Sequence, residues 1–147
     1  VIPDKFNLTA GEFDLFMGGG GGVPFLKKDD PGDTTQYGGV ELWPNIDGIF
    51  IDGKLTEVTS LANHSTFSEF TSLPGSVPCV SVFYSYDIYD EEAGKYDGEG
   101  TRWYAFWAVE GKKPVYALYL NAEYYDYDDL VKIAESVTFS EGAFAAK

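Results

Sequence analysis

Carboxylates dominate the residues that could carry chemistry. Asp87, Asp90, Glu91, Glu92, Asp97 and Glu99 flank one acidic stretch, and Asp126, Asp128 and Asp129 crowd a second. A glycosidase uses two such groups, one as acid and one as base or nucleophile on either side of a sugar. Ca²⁺ uses several at once, together with carbonyl oxygens. The spacing here does not match the calcium loop of a helix-loop-helix site. The stretches therefore read first as solvated acidic segments, with Asp97, Glu99, Asp126 and Asp128 the residues that would hold a Ca²⁺. A catalytic pair is a matter of geometry, and with so many acids its mere availability argues nothing. No catalytic residue is assigned, and no cofactor beyond that cation is expected.

Nucleophilic catalysis finds less support. The single histidine, His64, sits in the polar stretch "ANHST", and no Gly-x-Ser-x-Gly elbow is present. Cys79, the single cysteine, stands at the start of an apolar segment, where a buried and inert thiol is expected. It has no partner for an internal disulfide, and no zinc spacing surrounds His64.

The run "FMGGGGGVPF", Phe16 to Phe25, invites a phosphate-binding reading. A P-loop needs Lys and then Ser or Thr after the last glycine, whereas Val23 and Pro24 follow here. A dinucleotide fingerprint needs the glycines to open a helix, and Pro24-Phe25-Leu26 does not begin one. The run reads as a flexible loop near 18–22, or as a strand that another segment approaches closely.

Aromatic residues make up 17% of the chain. Exposed Trp and Tyr rings stack on the apolar faces of sugars, and central strands bury their large residues. Trp103 or Trp107 is therefore assigned to the core. Tyr124, Tyr125 and Tyr127, beside the acidic helix start, are expected to be exposed, and with Trp43 they are the candidate ligand-binding residues.

The net charge of −14 disfavours nucleic acid and anionic membrane surfaces, because both carry the same sign. No stretch approaches the roughly 18 apolar residues of a membrane span. At 147 residues the chain fits one domain, 1–147, with a frayed tail near 141–147. It begins Val-Ile-Pro without a charged-then-apolar leader, as a processed mature form or a trimmed chain would.

The elements that must position these residues follow from periodicity. Asp52-Gly53 between apolar-bearing segments predicts a hairpin. Phe67, Phe70 and Leu73 fit one face of a short helix within 63–73, capped by Ser65 or Thr66. Cys79–Tyr89, Thr101–Glu110 and Pro114–Asn121 are aromatic and β-branched, which predicts three strands in an antiparallel meander. Along the middle strand Trp103, Ala105, Trp107 and Val109 share one face, while Tyr104 and Phe106 share the other. A helix carrying Leu130, Ile133, Ala134 and Val137 is expected to cover one of them, with Asp126, Asp128 and Asp129 at its positive end. A last short strand is expected at Val137–Phe139.

The order of "RWYAFWAVEGKKPVYALYLNA", "EYYDYDD" and "LVKIAESVTF" resembles the end of small domains of unknown function in extracytoplasmic lipoproteins and membrane-anchored proteins of Gram-positive bacteria. The arrangement is also similar to PsbP-like domains. The likeness covers roughly residues 101–139 and carries no catalytic motif. It implies an α+β fold and a location outside the cytoplasm, secreted or associated with the cell envelope.

The reading is thus one α+β domain. An antiparallel sheet of four to six strands is packed by a C-terminal helix and one further short helix. The function expected of it is non-catalytic binding of a protein or glycan ligand. The alternatives are a carbohydrate-active hydrolase working through paired carboxylates and, third, a steric or structural module with no small ligand.

Overall fold

The computed structural model describes residues 8–10, 14–15, 21–27, 37–44, 46–59, 65–139 and 143–146. In chain order the strands are β1 (Leu8–Ala10), β2 (Asp14–Leu15), β3 (Gly21–Lys27), β4 (Gly38–Trp43), β5 (Gly48–Ile51), β6 (Lys54–Val58), β7 (Ser65–Leu73), β8 (Cys79–Asp90), β9 (Lys95–Trp107), β10 (Lys112–Lys113) and β11 (Val115–Asn121); helix α1 (Tyr127–Glu135) and β12 (Ala145–Ala146) follow. The main sheet runs β1-β3-β4-β11-β9-β8-β7, with β2 also paired to β3, and every pairing is antiparallel.

The α+β class, the antiparallel sheet and the C-terminal helix match the expectation from sequence. The meander is present as β8, β9 and β11, with β9 in the middle. The sheet is wider than four to six strands, because β1 to β4 extend it through the glycine-rich first third. The hairpin at Asp52-Gly53 is β5–β6, and both residues take positive φ, 51° and 79°, as a tight primed turn requires.

The short helix expected within 63–73 is instead strand β7. Its pairing with β8 shifts register between Ser68 and Thr71, and Glu69 takes φ 58°. The bulge inserts an odd step into the two-residue alternation. Phe67 and Phe70, three apart, can then face the same core, with ring centroids 5.9 Å apart. A bulged strand thus reproduces the spacing of a helical face.

The two faces of the sheet carry separate cores. On one, α1 lays Leu130 and Ala134 over Ala105, Trp107, Leu118 and Leu120. Both Trp103 and Trp107 pack in this core, as expected of at least one of them. The helix starts at a capping box in which Asp126 accepts from the Asp129 amide and Asp129 accepts from the Asp126 amide. Asp128 and Asp129 add negative charge to its first turn. On the opposite face the β5–β6 hairpin presses Leu55 and Val58 onto Val80, Val82, Phe106 and Ala117.

Val137–Phe139 forms no strand. Phe139 is held by ring contacts with Trp107, Tyr116 and Phe144, so its apolar surface is covered without backbone pairing. In the tail, expected to fray, Ala145–Ala146 pairs with β10, and Tyr116 Oη donates to the Ala143 carbonyl at 2.6 Å. Of the glycine run, Gly21 and Gly22 are buried in β3, opposite Leu42 and Glu41, which fits the strand alternative; Gly18–Gly20 and His64 lie outside the described residues. No helix among the described residues is long and apolar enough to cross a membrane.

Candidate functional site

On the face of the sheet that also carries the β5–β6 hairpin, charge is buried among rings. Arg102, the only arginine in the chain, and Tyr104 project from β9 on the same face. Register sets Tyr119 of β11 opposite Tyr104, and Glu41 of β4 opposite Ala117. Glu41 is one of two polar residues buried among the described residues. Its Oε1 accepts from Tyr104 Oη at 2.8 Å and from Trp43 Nε1 at 3.2 Å, and its Oε2 stands 3.9 Å from Arg102 Nη1. Arg102 Nη1 in turn donates to Tyr104 Oη at 3.1 Å. The tyrosine hydroxyl therefore relays between guanidinium and carboxylate.

Two rings flank the guanidinium, with centroids 4.1 Å (Tyr119) and 5.3 Å (Tyr86) from Arg102 Cζ, within cation–π range. Each ring is admitted by a glycine directly across the sheet: Tyr119 pairs with Gly39 and Tyr86 with Gly100. A Cβ at Gly39 would stand 2.9 Å from Tyr119 Cε1, and one at Gly100 would stand 2.2 Å from Tyr86 Cζ. No real side chain fits at such distances, so the two glycines are what let the rings close on Arg102.

The electrostatics follow from burial. Desolvation raises the Glu41 pKa, and the hydrogen bond from Tyr104, the charge of Arg102 and the hydrogen bond from Trp43 only partly offset it. Burial also acts to lower the Arg102 pKa, but the surrounding tyrosine oxygens more than compensate, so the guanidinium stays charged. Tyr119 is pushed up to about 12, chiefly by desolvation, and remains a neutral phenol. Of the five N–H donors of a guanidinium, one is used by Tyr104, and the other four meet no acceptor among the described residues. The Arg102 side chain is 21% exposed, and none of its nitrogens is among the fully buried side-chain atoms that lack a hydrogen-bond partner.

The residues singled out from the sequence are distributed otherwise. Trp43 is half-buried and belongs to this cluster through Glu41. Tyr124, Tyr125 and Tyr127 lie on the opposite face and do not form an exposed row. Tyr125 is buried, Tyr124 packs on Tyr37, and Tyr127 shares a 2.9 Å hydrogen bond with Ser81 Oγ and a ring contact with Trp103. A short acidic run at a helix start resembles a surface, yet the helix docks by those rings.

Asp97 and Glu99 are exposed on the arm that β8 and β9 form beyond Tyr86 and Gly100. Asp126 is engaged in the capping box, and Asp128 is exposed beside it. No group of three or more His, Cys, Asp or Glu able to hold a metal ion occurs among the described residues. Cys79 is buried at the edge of a cavity of about 220 Å³ between the β7–β8 turn and the end of α1, and desolvation pushes its thiol up to about 12.

No protein-family model, no curated protein and no solved structure matches the chain.

Proposed function

We propose that this chain is a non-catalytic, extracytoplasmic domain that binds a ligand through Arg102, at the root of the β8–β9 arm. One observation carries the reading: a largely buried guanidinium held between two rings, which among the described residues donates one hydrogen bond, to Tyr104 Oη, and leaves four donors unused. Burying a charge is costly unless its hydrogen-bonding capacity is met. A ligand that supplies acceptors at Arg102 recovers that cost. Half-buried Tyr84 and Tyr86, stacked at 5.5 Å, offer it a flat apolar surface alongside. The extracytoplasmic location rests on the resemblance over residues 101–139.

The hydrolase alternative has one observation in its favour: Glu41 is a carboxyl whose pKa is raised by burial, as a general acid requires.

Melting the protein against a panel of glycans and small organic acids tests both readings, since a ligand that binds only the native state must stabilise it. The binding reading expects a saturable rise in melting temperature for some panel members, absent in Arg102→Gln, with no turnover of any glycan. Reproducible glycan hydrolysis that is lost in Glu41→Gln would establish the alternative instead.

A further inference from the structure

We infer that the ligand of the Arg102 cage is a monoanion presenting a planar carboxylate beside a flat ring, an inference that rests on the binding reading above. Three features on the same face of the sheet restrict the chemistry.

The first is the donor. A guanidinium offers parallel N–H groups in a fixed fork, which a carboxylate or phosphate matches with two acceptors at once. Flanking rings accept such donors weakly, so Tyr86 and Tyr119 hold the group in place while leaving its hydrogen-bonding capacity open. Neutral hydroxyls would also accept from Arg102, but they lack both the opposite charge and the two coplanar acceptors that engage the fork bidentately.

The second is the charge already present. Glu41 Oε2 lies 3.9 Å from the guanidinium, and the whole chain carries −14. A dianion such as a phosphate monoester would meet both the local carboxylate and the field of the protein. One negative charge, spread over two oxygens, satisfies the fork with the least opposition. The pair with Glu41 also explains why Arg102 tolerates burial in the unliganded chain: the charge is partly balanced, while most of the donors are not engaged.

The third is the surface beside it. Tyr84 and Tyr86 stack on one another and are half-buried, and Trp43 lies on the other side of Glu41. Rings of this kind take the apolar face of a sugar or of an arene. Sugar acids and aromatic acids both combine such a face with a ring-borne carboxylate.

Calorimetric titration with matched pairs tests the inference. D-glucuronate is compared with D-glucose and with the neutral methyl ester of glucuronate, and benzoate with benzamide. The expected result is saturable binding of at least one acid, weakened by about tenfold or more in its neutral counterpart, the range of a charged hydrogen-bonded contact. Arg102→Lys keeps the charge but not the fork, and is expected to reduce acid binding to the level of the neutral partner; circular dichroism confirms that it folds. Which acid binds distinguishes a sugar ligand from an aromatic one. Neutral members binding as tightly as the acids, and still depending on Arg102, would overturn the carboxylate and leave the binding reading intact. Failure of every acid to bind the wild-type protein overturns the inference outright. Acid binding unchanged in Arg102→Lys also overturns it, and takes the assignment of the ligand to the Arg102 fork with it.

Discussion

Tyr86 and Gly100 are cross-strand partners in β8 and β9, and the Tyr86 ring lies so close to Gly100 that an added Cβ would stand 2.2 Å from Cζ. Arg102 lies two residues further along β9 on the same face, with its Cζ 5.3 Å from the Tyr86 ring centroid, so any shift of the ring is felt at the guanidinium it flanks. Gly100→Ala must therefore displace Tyr86 or bend the strand. Overpacking of this kind costs about 1–3 kcal/mol. The control is Gly75→Ala in the β7–β8 turn, where the nearest atom to a new Cβ, the Val77 carbonyl oxygen, is at an ordinary 3.5 Å. Urea denaturation should show a clear loss of stability for Gly100→Ala and little change for Gly75→Ala. Equal effects would contradict the packing described.

The docking of α1 rests on Leu130, which is fully buried against the sheet, whereas Lys132 is exposed. Leu130→Ala is expected to cost about 2–5 kcal/mol, and Lys132→Ala close to nothing. Similar denaturation midpoints for the two variants would show that the helix does not pack as described.

Glu41 supplies a pH dependence of defined sign. Burial holds its pKa above the ordinary carboxylate value in the folded chain, so the folded state binds the proton more tightly than the unfolded state. Its stabilising contribution is then fully present below the unfolded pKa and is lost as pH rises through the folded one. Glu41→Gln removes this titration while keeping the shape. The stability of wild type minus that of Glu41→Gln, followed by urea denaturation from mildly acidic to neutral pH, is expected to fall as pH rises. A difference that grows over the same range would reverse the assignment.

Cys79, buried and with its thiol pushed up to about 12, is almost wholly protonated at pH 8. Since the thiolate is the reactive form, an aromatic disulfide reagent should label it slowly in buffer and rapidly in denaturing urea. Rapid labelling of the native protein would show that the thiol is open to solvent.

What the sequence reveals here depends on how local the cause is. The meander, the amphipathic helix and the Asp52-Gly53 turn rest on short-range periodicity and turn chemistry, and each is present. Strand β7 was concealed because its bulge places Phe67 and Phe70 at helical spacing. The site was harder still. Its parts come from β4, β8, β9 and β11, and it depends on register pairing two glycines with two tyrosines across the sheet. Two signals pointed toward it without resolving it: a lone arginine two residues after Gly100, in a chain with 24 acidic residues, and Trp43 close to Glu41. The dense acids and the tyrosines at 124–127 are more conspicuous in the sequence, and the structure accounts for those tyrosines by helix docking.

The central claim is that Arg102 receives the ligand. Because Arg102 is the only arginine, its side-chain Nε–H gives one unambiguous signal in a ¹H–¹⁵N spectrum. Titration with whichever acid binds should move that signal saturably, with the same midpoint as calorimetry, while the neutral counterpart leaves it in place at equal concentration. Binding detected by calorimetry with no change in the Arg102 signal would contradict the claim and place the ligand elsewhere on the chain.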